Sequence, residues 1–202
     1  MQLSPEERRL RGMHRSVSLA LVALAVSACA ASPTPTPVGS DGGPGPTAPE
    51  LASGTVSGHG MTISVTAAPA VVAAGQRIEV EAVVTNDGDQ PLVLSGSGSG
   101  FVFFSVTRVE DGLTSGPPVM SGDCAPHVLP PGEPMVVPFF KAGGFSPDDP
   151  NADFLSAYFS EDALTLPSGS WHIMITTAAT LGEGCTGEQV QLEISLPVTV
   201  SD

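Results

Sequence analysis

The sequence predicts an all-β fold, a β-sandwich of about seven short strands. Three observations predict it. Apolar and polar residues alternate with period two through most of the chain after residue 60, turn residues punctuate the alternating runs, and no long amphipathic helix interrupts them.

The elements follow in order. "MTISVTA" sets Met61, Ile63 and Val65 against Thr62, Ser64 and Thr66, the pattern of a half-buried strand. "QRIEVEAVVTN" puts Ile78, Val80, Ala82 and Val84 on one face and Arg77, Glu79 and Glu81 on the other. "NDGD" (Asn86 to Asp89) then turns the chain into "PLVL". A "SGSGSG" run reads as a flexible loop, and "FVFFSVTRV" (Phe101 to Val109) as the next strand. After "EDGLTSG", the segment "LPPGEPMVVPFF" is a turn leading into a strand. Pro134 and Pro138 cannot donate ladder hydrogen bonds, so that strand belongs at a sheet edge. "NADFLSAYFSEDAL" (Asn151 to Leu164) has room for one or two helical turns. "SGSWHIMITTA" sets Trp171, Ile173 and Ile175 on a core face, and "EQVQLEISLPVTV" does the same with Val190, Leu192, Ile194, Val198 and Val200.

Three of these stretches carry a resemblance. "VTNDGDQPLVL", "LPPGE" and "LPSGSWHIMI" resemble bacterial immunoglobulin-like domains, and among them the intracellular proteinase inhibitors of the BsuPI type. In that family an Asn-containing turn, a Leu-x-Pro-Gly-Glu turn and a Pro-x-Gly-x-aromatic strand recur in this order. The match spans about Ala73 to Thr177. It implies an immunoglobulin-like sandwich and, as an alternative function, proteinase inhibition. The cysteine pair, the Gly-Ser loop and the long "KAGGFSPDDPNADF" insert depart from the family.

The front of the chain reads differently. Arg8, Arg9, Arg11 and Arg15 precede an uncharged run from Ser16 to Ala28. A stable span needs about 20 apolar residues, and this run is shorter, so it reads as a secretory signal peptide over residues 1–28. Val26-Ser27-Ala28-Cys29 resembles the bacterial lipobox. The resemblance implies cleavage after Ala28 and acylation of Cys29. "MHRSVSLALVALAVSAC" is a complete leader of this kind by itself, so Met13 is expected to be the initiator. Residues 29–60 are rich in Pro, Thr, Ser and Gly and read as an unfolded tether. Residues 61–202 are then the folded domain.

Charge and cysteines bound the function. The full chain carries −14; loss of residues 1–28 would remove four arginines and two glutamates, leaving −16. Such a chain repels a phosphate backbone, so nucleic acid is excluded as a partner. It also repels an anionic bilayer, which leaves the acyl chains to make the membrane attachment. Cys124 and Cys185 remain as an even pair, most simply a disulfide. In the chain-entropy model its loop of roughly 60 residues is worth about 4 kcal/mol.

Catalytic motifs are absent from the sequence: no H-E-x-x-H, P-loop or C-x-x-C, and glycine sits where G-x-S-x-G needs its nucleophile in "SGSGSG". The chain reads as non-enzymatic and without a cofactor. A copper set is the sharper alternative, because Met120, Cys124, His127 and Met135 fall within sixteen residues and offer thioether, thiolate and imidazole. Asp149, Asn151 and Asp153 alternate as in a calcium loop, yet Phe154 replaces the required glycine. In the long insert, Phe145, Phe154, Tyr158 and Phe159 form either a binding loop or a cap over the open end of the sandwich. The expected protein is a monomeric domain on the extracytoplasmic face of the cell membrane. It is lipid-anchored there and engages an envelope protein or wall polymer.

Overall fold

The computed structural model describes residues 50–202. The leader, the cleavage position at Ala28, Cys29, the Met13 start and the first part of the linker lie outside the described residues.

The domain is an all-β sandwich with one short helix. Its strands are β1 (Ala52–Gly58), β2 (Met61–Ala68), β3 (Val71–Ala73), β4 (Arg77–Asn86), β5 (Leu92–Gly96), β6 (Val102–Arg108), β7 (Ala125–Leu129) and β8 (Met135–Pro138). After helix α1 (Ala152–Phe159) come β9 (Leu164–Thr165), β10 (Gly169–Thr177), β11 (Ala179–Leu181), β12 (Gln189–Val190) and β13 (Glu193–Ser201). One sheet runs β1-β2-β4-β8, with β9 joining β4. A second runs β3-β13-β10-β6 and a third β12-β11-β5-β7. The pairings are antiparallel except β3 with β13.

Period-two alternation becomes a shared core. Across β2 and β4, Ile63 faces Val84 and Val65 faces Ala82. Across β10 and β13, Trp171 faces Val198, Ile173 faces Leu196 and Ile175 faces Ile194. All of these are buried in one apolar cluster. β8 is an outer strand, as its prolines require. In β6 both faces are buried, because Phe103 packs edge-on against Phe140 while Phe104 meets Phe139 and Phe140.

One boundary is corrected. The linker does not run to Gly60: Ala52–Gly58 is strand β1, paired with β2 from Ala52↔Ala67 to Gly58↔Met61. Its composition, with Val56 as the one large apolar residue, looks too small to fold. The reason lies across the sandwich. A Cβ at Gly54 would come 2.9 Å from Ile194 Cγ2, and one at Gly58 would come 2.9 Å from a Leu192 methyl. Large residues on and beside β13 fill the space that side chains on β1 would need.

The three motifs of the family resemblance prove to be turn locks. Asn86 is buried, and its amide donates to Gln90 O at 2.7 Å and to Leu129 O at 2.9 Å, while its Oδ1 accepts from Gly88 N at 2.9 Å. Gly132 N, inside "LPPGE", donates to Asn86 O at 3.2 Å. The first two motifs are thus tied to each other. In the third, the Trp171 indole N–H closes its own turn on Pro167 O at 2.9 Å.

Candidate functional site

At the end of the sandwich where β10 reaches Thr177, a cleft of about 410 Å³ opens beside the two cysteines. Its floor is Gly96 on β5, Ala179 and Thr180 on β11, and Val190 on β12. One wall is the segment Met120–Asp123, and the other carries Cys185. Cys124 and Cys185 are disulfide-bonded, with their Cα atoms 6.0 Å apart.

The stretch "SGSGSG", expected to be flexible, is built into this end. Ser95 is buried; its hydroxyl donates to Gly182 O at 2.7 Å and accepts from Gly184 N at 2.9 Å, which pins the loop bearing Cys185. Ser97 Oγ shares hydrogen bonds with Ser99 Oγ at 2.8 Å and with Ser121 Oγ at 2.6 Å. Gly98 N donates to Asp123 Oδ1 at 3.1 Å. The glycines are present because of space: a Cβ at Gly98 would fall 2.1 Å from Asp123 Oδ2, and one at Gly96 would press on Ala178 O at 3.1 Å. Small residues here serve close approach. Hydrogen bonds from the Ser121 hydroxyl and then from Gly98 N–H hold the Asp123 carboxyl below its ordinary range.

The copper set does not assemble as a soft-ligand site. The disulfide takes the Cys124 thiolate. The His127 Nε2–H donates to Ser97 O at 3.0 Å, and its ring tilts against Phe101. Met120 lines the cleft and is 45% exposed, whereas Met135 leans on the main core. Among the described residues no three His, Cys, Asp or Glu side chains gather to hold a metal. The calcium-like spacing has another use: Asp149 Oδ1 accepts from Asn151 N at 2.8 Å, an Asx turn that starts α1.

The aromatic insert is a cap. Tyr158 is buried, and Phe154 stacks on Trp171 with ring centroids 5.6 Å apart. Phe159 stacks on Phe145 at 6.3 Å, which leaves Phe145 as the member of the set at the surface. The Lys141 ammonium donates to Tyr158 O in the last turn of α1 and to Glu161 O just beyond it, and lies 4.3 Å from the Tyr158 ring centroid. Burial lowers the Lys141 pKa. This end also bears a depression of about 510 Å³ beside Arg108 and Asp111. Its cation is already engaged, since the Arg108 guanidinium is bidentate to Asp111 at 2.9 and 2.6 Å and lies over the Trp171 ring. That pairing, chiefly the hydrogen bond from Arg108, draws the Asp111 carboxyl down to about 2.

Two features of the site were hidden in the sequence. β7 was missed because "APHVL" is short and begins beside the cysteine. The wall Met120–Asp123 has no periodicity at all, and the one signal pointing to it was the adjacent Cys124. No helix among the described residues is long and apolar enough to cross a membrane. No family model matches the chain, and no curated protein matches it in sequence.

Proposed function

We propose that this protein is a lipid-anchored, extracytoplasmic, non-enzymatic interaction module whose immunoglobulin-like sandwich engages an envelope protein or wall polymer. The observation that carries the reading is the Cys124–Cys185 bond, since disulfides persist in oxidising compartments. The lipobox-like Val26-Ser27-Ala28-Cys29, behind a basic and then apolar leader, agrees with that compartment. Pro, Thr and Gly between Cys29 and β1 supply a tether that holds the domain away from the bilayer. A lining of serine hydroxyls, glutamine carboxamides and one carboxylate supports binding in the cleft.

The test is metabolic labelling with an alkyne palmitate in a bacterial host, comparing the native chain with Cys29→Ala. Native protein should take up label and sediment with membranes; the variant should do neither. Cross-linking on intact cells should then recover envelope components with the native chain alone. Unlabelled native protein, or equal labelling of the variant, overturns the anchor.

A further inference from the structure

We propose that the cleft beside the Cys124–Cys185 bond holds a neutral, hydroxyl-rich ligand, a short segment of envelope polysaccharide. The proposal rests on the interaction-module reading and names the ligand class of that module.

The lining chemistry is the first argument. The carboxamides of Gln189 and Gln191 can each donate and accept, and Asp123 accepts beside the hydroxyls of Ser97 and Ser121, which are hydrogen-bonded to each other. Sugar hydroxyls also do both, so one ring can satisfy such a lining. The Met120 thioether, exposed at the rim, offers an apolar contact to a ring's C–H face.

Charge and topology exclude the rivals. No lysine, arginine or histidine lines the cleft, and the chain as a whole is strongly acidic, so an anionic polymer finds nothing to neutralise it. Cationic ligands find a single carboxylate, that of Asp123. An extended peptide recognised by strand addition needs a free sheet edge. Of the floor strands, β5 lies between β11 and β7 and β11 between β12 and β5, while the outer strand β12 is only the two residues Gln189 and Val190, too short an edge to template an added strand.

Size and rigidity fit as well. About 410 Å³ lies within the range of about 300–1,000 Å³ usual for small-ligand clefts. Both walls are fixed before any ligand arrives, one through Ser121 and Asp123, the other through Ser95, with the disulfide joining them. Preorganisation of this kind reduces the ordering cost of binding.

The experiment screens full-length protein in detergent against an array of neutral glycans and titrates the best of them by calorimetry. Tetralysine and dextran sulfate serve as cationic and anionic probes. Saturable binding of a neutral glycan is expected. Gly98→Ala, which displaces Asp123, should weaken it by about tenfold, and Ser121→Ala by several-fold, as befits one or two lost hydrogen bonds. Unchanged Trp171 fluorescence shows that each variant is folded. Native protein that binds no neutral glycan overturns the proposal. So does equal affinity in both variants, or binding of tetralysine or dextran sulfate in place of glycans. Because the protein is purified, a failure of anchoring leaves this test intact. Failure to bind glycan leaves the anchored module to its labelling test.

Discussion

Strand β10 has two different ends. At Trp171 the core is capped, although a depression opens beside Arg108 and Asp111: Phe154 stacks on the indole, Arg108 lies over it, and α1 packs Leu155 and Tyr158 into the interior. At Thr177 it is open, with serine hydroxyls, a carboxylate and a disulfide around a cleft. Large aromatic residues seal one end because each buries much apolar area. Small residues line the other end, where hydroxyl and backbone hydrogen bonds tie Ser97–Ser99 closely to Ser121–Asp123 beside the cleft. The lesson is that aromatic content marked the stopper, and the cleft proposed to bind lies where the residues are smallest.

The comparison is tested most severely at its closed end. Trp171→Ala removes the largest fully buried side chain and the platform under Phe154. It should cost about 3–5 kcal/mol, read as a shift in the denaturant midpoint at constant m-value. If Trp171 belongs to the closed end alone, amide protection of Ser97–Ser99 and Ser121–Asp123 should survive in conditions where the variant is folded. Loss of protection there would mean the two ends are one cooperative unit.

The open end should respond to its own perturbation. Cys124→Ser with Cys185→Ser removes a link spanning 61 residues, with an expected loss of about 4 kcal/mol in the chain-entropy model. The same variant should raise hydrogen exchange in the loops on either side of the cleft while Trp171 emission stays as in the native protein. Equal disturbance of both ends would dissolve the contrast.

How far the sequence disclosed this arrangement depends on where the packing partners lie. The long alternating strands β2, β4, β10 and β13 were legible, because burial of one face imposes period two on residues such as Ile78, Val80, Ala82 and Val84. β1 was not, since its glycines are explained by Ile194 and Leu192, more than a hundred residues away. "SGSGSG" misled for the same reason: Gly98 is required by Asp123, which no local pattern connects to it. The disulfide pair was legible from parity and compartment. The cleft was illegible because its lining comes from five separate segments, each unremarkable by itself. The aromatic insert was legible as composition and ambiguous as topology. Nothing in "ADFLSAYF" says whether its apolar stripe faces inward to Trp171 or outward to a partner.

The smallest expected effect makes the sharpest probe of the closed end. Tyr158 is the chain's single tyrosine, so tyrosinate absorbance reports it alone. Burial pushes its pKa from 10.0 up to about 12, against a smaller opposing pull from the Ser115 hydroxyl, which lies near the phenol without well-formed hydrogen-bond geometry. In the unfolded chain the phenol ionises near 10, so the folded state loses its advantage as pH rises from about 10 towards 12. Lys141, which faces the ring, works in the opposite sense: its pKa is lowered in the folded state, so its contribution improves as the solution becomes alkaline. The absorbance titration separates the two because it does not see the lysine. Tyr158→Phe removes a buried hydroxyl only weakly engaged by Ser115 while keeping the ring beside Phe154 and Phe159. At neutral pH it should leave stability unchanged or raise it by up to about 1 kcal/mol. Its stability should also lack the tyrosine-linked loss above pH 10. A native phenol that titrates at its ordinary value would mean that water reaches Tyr158. The end of the sandwich described as closed would then be open, and the difference between the two ends of β10 would be one of residue type alone.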